Sequence, residues 1–366
     1  MSNNPTVLEI DESAVKHNLR YFRSKLKDST KILVVIKAFA YGSDSVMIAK
    51  ILEQQKVDYL AVAYADEGVA LRKANIDLPI LVLHPQVENF DKIISYHLEP
   101  NLYNFKTLNA FTLAIKRAGV EDYPVHIKIN SGMNRLGFKE NEIAQLKSEL
   151  QELRNLKIIS FYSHFAASED SHEIDFSKQQ IDIFSRACVT LSNSLPYTPL
   201  RHIANTFGII HFPEAQFEMV RLGIGLYGFG NEQKETAQLK NVCNLKTKIS
   251  QIQHISNGET VSYNRRFIAN KKTKIGIIPL GYADGLIRNL GNGMAFVYVK
   301  NQKVPVVGSI CMDMTLIDVT EIDCEEGDEV IIFNHQDHIL DFAKKTTTIP
   351  YEILTSISQR VERKLI

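Results

Sequence analysis

The chain has 366 residues, of which 45% are hydrophobic and 23% are charged, a composition typical of a soluble globular enzyme of two or three domains. Forty-two basic side chains balance 42 acidic ones, so the sequence predicts neither a nucleic-acid nor a membrane partner. The four cysteines are scattered and the N-terminal segment lacks the features of a signal peptide, so we expect a reduced, cytoplasmic protein with no bound metal.

From about residue 31 to residue 232, short β-branched runs alternate with helical patterns. Helical spacing is clearest over residues 46–55, 105–119, 141–156 and 181–195. The strands are expected in the segments ILVVIKA, YLAVAY, PILVLHP, EPNLYN, PVHIKIN, KIISFYSHF, LRHIAN and FEMVRLG. Eight strand-then-helix units over this length predict a (β/α)8, TIM-like barrel.

Beyond the barrel the pattern changes. Residues 225–241 combine glycines with polar residues and predict a linker, after which short β runs and turn signals predict a mostly β domain. The helical spacing of Ile353, Ile357 and Val361 predicts a closing helix over residues 351–365. We therefore expect a barrel domain over residues 11–232 and a β domain over residues 233–366, joined by residues 1–10.

Polar side chains stand at the ends of several predicted barrel strands. In a barrel of this kind the C-terminal ends of the strands meet at one rim, where active sites lie. Singly, each such residue is commonly solvated or part of the core, but together they predict one cleft with a lysine, an imidazole and two further cations. The residues in question are Lys37, Arg135, His164, His202, Asn205, Thr206, Arg221 and Gly223.

The same rim suggests a ligand. Phosphate sites of such barrels are frequently built from the loops after the seventh and eighth strands, where Thr206 and Gly223–Ile224 stand. A phosphate facing Lys37 fits pyridoxal phosphate (PLP) held as a Schiff base. A phosphorylated sugar in a lysine aldolase fits the same features, so placement alone leaves both open.

Several segments resemble, in the same order, those of the fold-type III alanine racemases. They are VVIKAFAYG, KINSGMNRLGF, YSHFA, HIANT, VRLGIGLYG, VSYNRRF, IPLGYADG, VGSICMDM and IPYEILTSIS, and they span essentially the whole chain. The resemblance implies an isomerase that interconverts L-alanine and D-alanine with PLP and supplies D-alanine for peptidoglycan.

The resemblance also implies roles for individual residues. Lys37 would bind PLP covalently and act as one base, and Tyr263 would be the base on the opposite face. Arg221 would hydrogen-bond the pyridine nitrogen, with His164 behind it. Because arginine does not readily give up its proton, the ring nitrogen would stay unprotonated and transamination would be suppressed.

The remaining implied roles concern the cofactor's other end and the substrate. Arg135 would sit at the cofactor's phenolic oxygen and, with the backbone of Met312, at the substrate carboxylate. Lys128 matches a lysine that many members carry as a carbamate, and Tyr282 and Ser309 match the entry channel. Further cofactor contacts would come from Tyr41, Asn205, Thr206, Gly223, Ile224 and Tyr351.

Lys37 lies in the predicted barrel, whereas Tyr263 and Met312 lie in the predicted β domain. The resemblance implies a head-to-tail homodimer in which each active site takes Lys37 from one chain and Tyr263 from the other. Two such sites arise by two-fold symmetry.

The sequence departs from the family's pattern at a few positions. Asn264 stands where glycine is usual, Ser309 where many members have arginine, and Asn130-Ser131 where Asp-Thr is common. Thr206 replaces a frequent serine and Thr355 a frequent cysteine. These departures keep a broad-specificity amino-acid racemase open as an alternative.

Two further alternatives remain within the same barrel class. A non-catalytic PLP-binding protein would lack the β domain and Tyr263, both of which this chain has. A decarboxylase of basic amino acids would typically place an acidic residue at the pyridine nitrogen, where this chain has Arg221.

Overall fold

The computed structural model of the chain describes residues 4–366. After strand β1 (Val7–Ile10), eight parallel strands follow at each of the predicted positions, and the predicted barrel is confirmed. They are β2 (Lys31–Val35), β3 (Tyr59–Val62), β4 (Ile80–Val82), β5 (Glu99–Leu102), β6 (Tyr123–Lys128), β7 (Leu156–Tyr162), β8 (Leu200–His202) and β9 (Met219–Leu222).

The barrel strands pair in the order β8-β7-β6-β5-β4-β3-β2-β9. The seam between β8 and β9 is bridged where the Arg221 N–H donates to the Ala204 carbonyl at 2.9 Å, so the barrel is nearly closed. Strand side chains alternate between the barrel interior and the surrounding helices. A small apolar cluster of one residue from each of four adjacent strands is separate from the main core: Leu33, Ala61, Leu81 and Met219.

Helices surround the barrel and two more cover the second domain. The Asp11 carboxylate caps the first helix by accepting from the Ala14 N–H at 2.9 Å, and Asn104 caps the sixth through the Thr107 N–H at 2.8 Å. Within residues 4–366, no helix is long and apolar enough to cross a membrane. The helices are α1 (Glu12–Arg23), α2 (Lys37–Gly42), α3 (Ser45–Gln54), α4 (Ala65–Lys73), α5 (Phe90–Ser95), α6 (Phe105–Ala118), α7 (Ile143–Glu152), α8 (Ile174–Ser192), α9 (Thr206–His211), α10 (Gln233–Thr236), α11 (Gln336–Lys345) and α12 (Pro350–Thr355).

The second domain is a β domain, as predicted. Its main sheet has the order β11-β14-β17-β16-β15-β18-β10-β1-β19, and β12 pairs with β13. The limits predicted for the two domains stay a prediction, and residues 1–3 of the predicted joining segment lie outside the described residues. The strands are β10 (Cys243–Lys248), β11 (Gln251–Ile255), β12 (Thr260–Val261), β13 (Phe267–Ile268), β14 (Thr273–Ile278), β15 (Phe296–Val299), β16 (Gln302–Val307), β17 (Thr315–Asp318), β18 (Glu329–Phe333) and β19 (Glu362–Leu365).

Two helix predictions need correction. The predicted closing helix ends at Thr355, and residues 362–365 instead form β19, which pairs in parallel with β1. Ile353, Ile357 and Val361 are buried as the pattern required, but a strand edge supplied by the other end of the chain takes the last residues. The helix predicted over residues 141–156 covers only Ile143–Glu152, because Leu156 already pairs with Tyr123 in the barrel.

Candidate active site

A cavity of about 540 Å³ opens at the carboxyl ends of the barrel strands. It brings together every barrel residue predicted for the site, together with Tyr351 of α12. Within residues 4–366, the residues lining the cavity include no acidic side chain, so its charge is positive. The predicted residues that line it are Lys37, Tyr41, Lys128, Arg135, His164, Asn205, Thr206, Arg221, Gly223, Ile224 and Tyr351.

Four predicted residues of the β domain do not line the cavity of their own chain: Tyr263, Met312, Tyr282 and Ser309. Tyr263 is 64% exposed and Met312 is 54% exposed, whereas Ser309 is buried. Tyr263 lies in a turn whose neighbours Ser262 and Asn264 have φ of 67° and 55°. Asparagine tolerates this left-handed region better than most residues, which explains why it can stand where relatives have glycine.

Lys37 is presented by a left-handed turn. The four residues 38–41 have φ between 52° and 57°, a conformation that costs roughly 1–2 kcal/mol for each non-glycine residue. Gly42 ends the turn with φ of 82°, and a Cβ there would lie 2.0 Å from the Leu354 carbonyl oxygen. The turn therefore needs glycine at residue 42 and needs outside support at residues 38–41.

Glu67 of α4 gives part of that support. Its carboxylate accepts from the Ala38 N–H at 2.6 Å and, through its other oxygen, from the Ala63 N–H at 2.6 Å. Desolvation in the cavity and then the charge of Arg135 lower the pKa of Lys37, and Glu67 opposes them. Sequence reasoning missed Glu67, because no local pattern shows that α4 meets the turn after β2.

Thr206, Gly223 and Tyr41 form a cradle at one end of the cavity. Thr206 Oγ1 accepts from the Gly223 N–H at 3.0 Å, and a Cβ on Gly223 would lie 2.7 Å from Tyr41 Oη. Tyr41 is fully buried beside Tyr227 and Tyr351, with ring centroids 4.9 and 5.8 Å away. Burial raises the pKa of Tyr41 well above its usual value, so its hydroxyl remains a donor. Hydroxyl and backbone N–H donors without a carboxylate suit a phosphate group.

Arg221 stands at the other end, buried beneath the cavity floor. Its Nη1 donates to His202 Nδ1 at 2.9 Å and its Nη2 to His164 Nδ1 at 2.9 Å and to the Ser163 carbonyl at 2.7 Å. Burial lowers the pKa of Arg221 to about 10, which leaves it charged at neutral pH. Burial and then Arg221 hold the pKa of His164 well below its usual value, so this ring is neutral and accepts. Among residues 4–366, nothing accepts from Arg221 Nε, which is left to a ligand.

Lys128 packs against Tyr162, which sequence reasoning did not single out. The Lys128 Nζ lies 4.3 Å and the Arg221 Cζ 5.4 Å from the centroid of the Tyr162 ring. Burial, then Arg221 and Arg135, lower the pKa of Lys128 far below the ordinary value of lysine. Asn101, also unpredicted, lines the same cavity and has a buried Oδ1 without a hydrogen-bond partner. The cavity thus offers an uncharged amine and a spare acceptor.

A barrel lysine, a phosphate cradle and an arginine with one uncommitted donor define the class of barrel-fold PLP enzymes. The donors at the two ends fit the phosphate and the ring nitrogen of PLP, and the aldehyde would meet Lys37. A family model of the alanine racemase N-terminal domain matches residues 10–230, and one of the C-terminal domain matches residues 242–365. The chain therefore belongs to the alanine racemase family, which is PLP-dependent.

Relatives cover nearly the whole chain. The alanine racemase of Thermodesulfovibrio yellowstonii is 38% identical, over 98% of this chain and 97% of that protein. The solved alanine racemase of Clostridium difficile 630 has a TM-score of 0.92 at 34% identity, covering 100% of this chain and 97% of that chain. The structure from Bartonella henselae, with covalently bound pyridoxal phosphate, has a TM-score of 0.88 at 28% identity, with 99% of both chains covered.

Proposed function

We propose that this protein is an isomerase that interconverts L-alanine and D-alanine with PLP as its cofactor. The observation that carries the proposal is that Lys37, Arg221 and the Thr206–Gly223 cradle line one cavity. When bound, PLP withdraws electrons from the substrate's Cα and so eases removal of its proton. The chain must then hold the cofactor, orient the substrate and move a proton between two faces.

We propose that Lys37 bonds to the PLP aldehyde and that the cradle of Thr206, Gly223 and Tyr41 holds the phosphate. Asn205, Ile224 and Tyr351 complete that end; Asn205 supports it by capping α9 through the Gly208 N–H at 2.9 Å. Arg221, with the uncommitted Nε–H, faces the ring nitrogen, and His164 accepts from the guanidinium on its other side. Arginine at this place keeps the proton on its own side of the hydrogen bond, so the ring nitrogen stays unprotonated.

We propose a two-base reaction. Lys37 Nζ exchanges a proton with Cα on one face, and Tyr263 Oη exchanges one on the opposite face, because inversion requires groups on both sides. The lowered pKa of Lys37 supports its role, since more of its amine is neutral near pH 7 than in an ordinary lysine. Arg135 at the cavity would hold the substrate carboxylate together with the Met312 backbone.

The second base comes, we propose, from a second copy of the chain. Tyr263 and Met312 do not reach the cavity of their own chain and are exposed, as are Tyr64 and Phe39 around Lys37. A head-to-tail homodimer would cover both sets at once and shield the reacting Cα from water. Tyr282, exposed on the same domain, would then border the entry channel, whereas the buried Ser309 would contribute beneath it.

Lys128 is proposed to carry a carbamate. Its amine is buried among cations and has a strongly lowered pKa, which leaves it neutral and able to attack CO₂ with release of one proton. The carbamate's negative charge would replace a like-charge contact with an attraction to Arg135.

For the cell, we propose that the protein works in the cytoplasm and supplies D-alanine for peptidoglycan. All four cysteines are free in the structure, which agrees with a reducing compartment.

The test is a circular-dichroism assay of purified, PLP-loaded protein against a panel of L- and D-amino acids. Alanine should lose its optical signal from either enantiomer, with equal kcat/KM in the two directions because the equilibrium constant is one. Lys37→Ala, prepared identically, is the control for a contaminating racemase. A protein that binds PLP but leaves L- and D-alanine unchanged refutes the proposal, and comparable rates on other amino acids replace it with a broad-specificity racemase.

A further inference from the structure

A chain of hydrogen bonds runs through the barrel interior from β5 to Arg221 on β9. Glu99 Oε2 lies 2.8 Å from His126 Nε2, and His126 Nδ1 lies 2.7 Å from Ser160 Oγ. Ser160 Oγ lies 2.8 Å from His202 Nε2, and His202 Nδ1 lies 2.9 Å from Arg221 Nη1. We call these five residues the barrel relay. Only Arg221 among them lines the cavity, so the reaction as proposed above leaves the other four unexplained.

The relay has one consistent direction, and it can be followed from Arg221. A guanidinium has only donors, so His202 Nδ1 must accept. Burial and then Arg221 hold the pKa of His202 well below its usual value, so the ring is neutral and carries its hydrogen on Nε2. That hydrogen is donated to Ser160 Oγ.

The direction continues to Glu99. Ser160 has one hydroxyl hydrogen, and its two partners in the relay are the rings of His202 and His126. Since His202 donates to it, Ser160 must donate to His126 Nδ1. His126 then carries its hydrogen on Nε2, which points at the carboxylate of Glu99. A doubly protonated His126 would leave the Ser160 hydrogen without an acceptor, and that is costly in a fully buried site.

The carboxylate end and the guanidinium end therefore demand the same pair of tautomers. Reversing His202 would turn an N–H toward the N–H groups of Arg221 and push the guanidinium away. Its remaining acceptors, the carbonyls of Ser163, His202 and Ile203, would not by themselves restore the lost contact. Arg221 keeps its place only while Glu99 accepts at the far end.

We propose that Glu99 is a positioning residue for Arg221 and acts through the tautomer of His202. This inference rests on the proposed function only where it says what Arg221 faces. The hydrogen-bond direction itself concerns the chain alone and can be tested without catalysis.

The chain offers a matched pair of variants. Glu99→Gln retains an oxygen that can accept from His126 and removes only the charge, so alanine racemisation should stay within about twofold of the parent. Glu99→Leu removes the acceptor at similar volume and should lower kcat about tenfold, the usual effect of stranding a buried donor. It should also raise the pyruvate formed per racemisation turnover, because a displaced Arg221 no longer keeps the ring nitrogen unprotonated. A loss of folded protein alone would lower activity without changing that ratio.

Ser160→Ala interrupts the relay in the middle by removing one oxygen, and it carries the test if Glu99→Leu does not fold. Its effects on kcat and on the pyruvate ratio should match those of Glu99→Leu. Since both act through one pathway, the double variant should cost little more than either single one, whereas independent packing defects would add. Parental kcat and pyruvate ratio in folded Glu99→Leu or Ser160→Ala would overturn the proposal.

Nitrogen-15 spectra of histidine-labelled, PLP-loaded protein give the readout that does not depend on activity. Parent and Glu99→Gln should show the Nε2–H form for both His126 and His202, assigned by the signals that Ser160→Ala perturbs. An Nδ1–H or doubly protonated ring at either residue in the parent would overturn the inferred direction. Inactivity of the parent toward alanine, with both rings in the Nε2–H form, would instead refute the proposed function and leave the relay standing.

Discussion

Replacing Gly223 with alanine tests the phosphate cradle most directly. The new Cβ would lie 2.7 Å from Tyr41 Oη, closer than real Cβ atoms approach other heavy atoms. Tyr41 is wedged between Tyr227 and Tyr351, so its ring cannot yield freely. Overpacking of this kind costs about 1–3 kcal/mol, and we expect the apoprotein to lose that much stability.

The cofactor should be affected separately. A displaced Tyr41 hydroxyl no longer donates to the phosphate, and a hydrogen bond to a charged group contributes roughly 1.5–3 kcal/mol. At about 1.4 kcal/mol per tenfold, the Kd for PLP should rise roughly 10- to 150-fold. Equilibrium dialysis of the apoprotein against PLP measures the Kd, and thermal unfolding measures the stability.

Two further variants separate the effects. Gly276→Ala places a Cβ 3.1 Å from the Ile317 side chain in the β domain, so it should lower stability without changing the Kd for PLP. Adding Tyr41→Phe to Gly223→Ala removes the clashing oxygen and should restore apoprotein stability, but not PLP affinity. If folded Gly223→Ala binds PLP as tightly as the parent, the cradle does not hold the phosphate.

Three other predictions concern the bases and Lys128. Lys37→Ala and Tyr263→Phe should each be nearly inactive, yet co-refolded hybrids should regain activity at one intact shared site; hybrids that demonstrably form and stay inactive would show that the site lies within one chain. Protein prepared with ¹³C-bicarbonate should give a carbamate resonance that Lys128→Ala lacks, and its absence from the parent would refute the modification. The rate of covalent PLP uptake by apoprotein should rise with pH about a midpoint below 10.5, because only the neutral Lys37 amine attacks and its pKa is lowered; Arg135→Gln should move that midpoint upward by removing a positive charge, and an unmoved midpoint would contradict the electrostatic account.

The sequence by itself determined the barrel and most of its rim. Strand and helix periods are local properties, and parallel strands in a barrel bring their C-terminal ends together, so Lys37, His164 and Arg221 could be placed at one cleft before any coordinates. The glycine and threonine at the cradle were predictable for the same reason. The ordered family segments then supplied Tyr263, whose role no barrel argument could suggest.

Only the tertiary structure decided which distant groups meet. Glu67 supports the Lys37 turn, and Glu99 reaches Arg221 through three other strands, although no spacing along the chain links these pairs. The end of the chain shows the same limit, because residues 362–365 have a helical apolar pattern before them and still form β19 on the edge of β1. A local pattern fixes which side of a segment is buried, whereas long-range hydrogen bonds and burial fix its partner, and these arise only when the chain is folded.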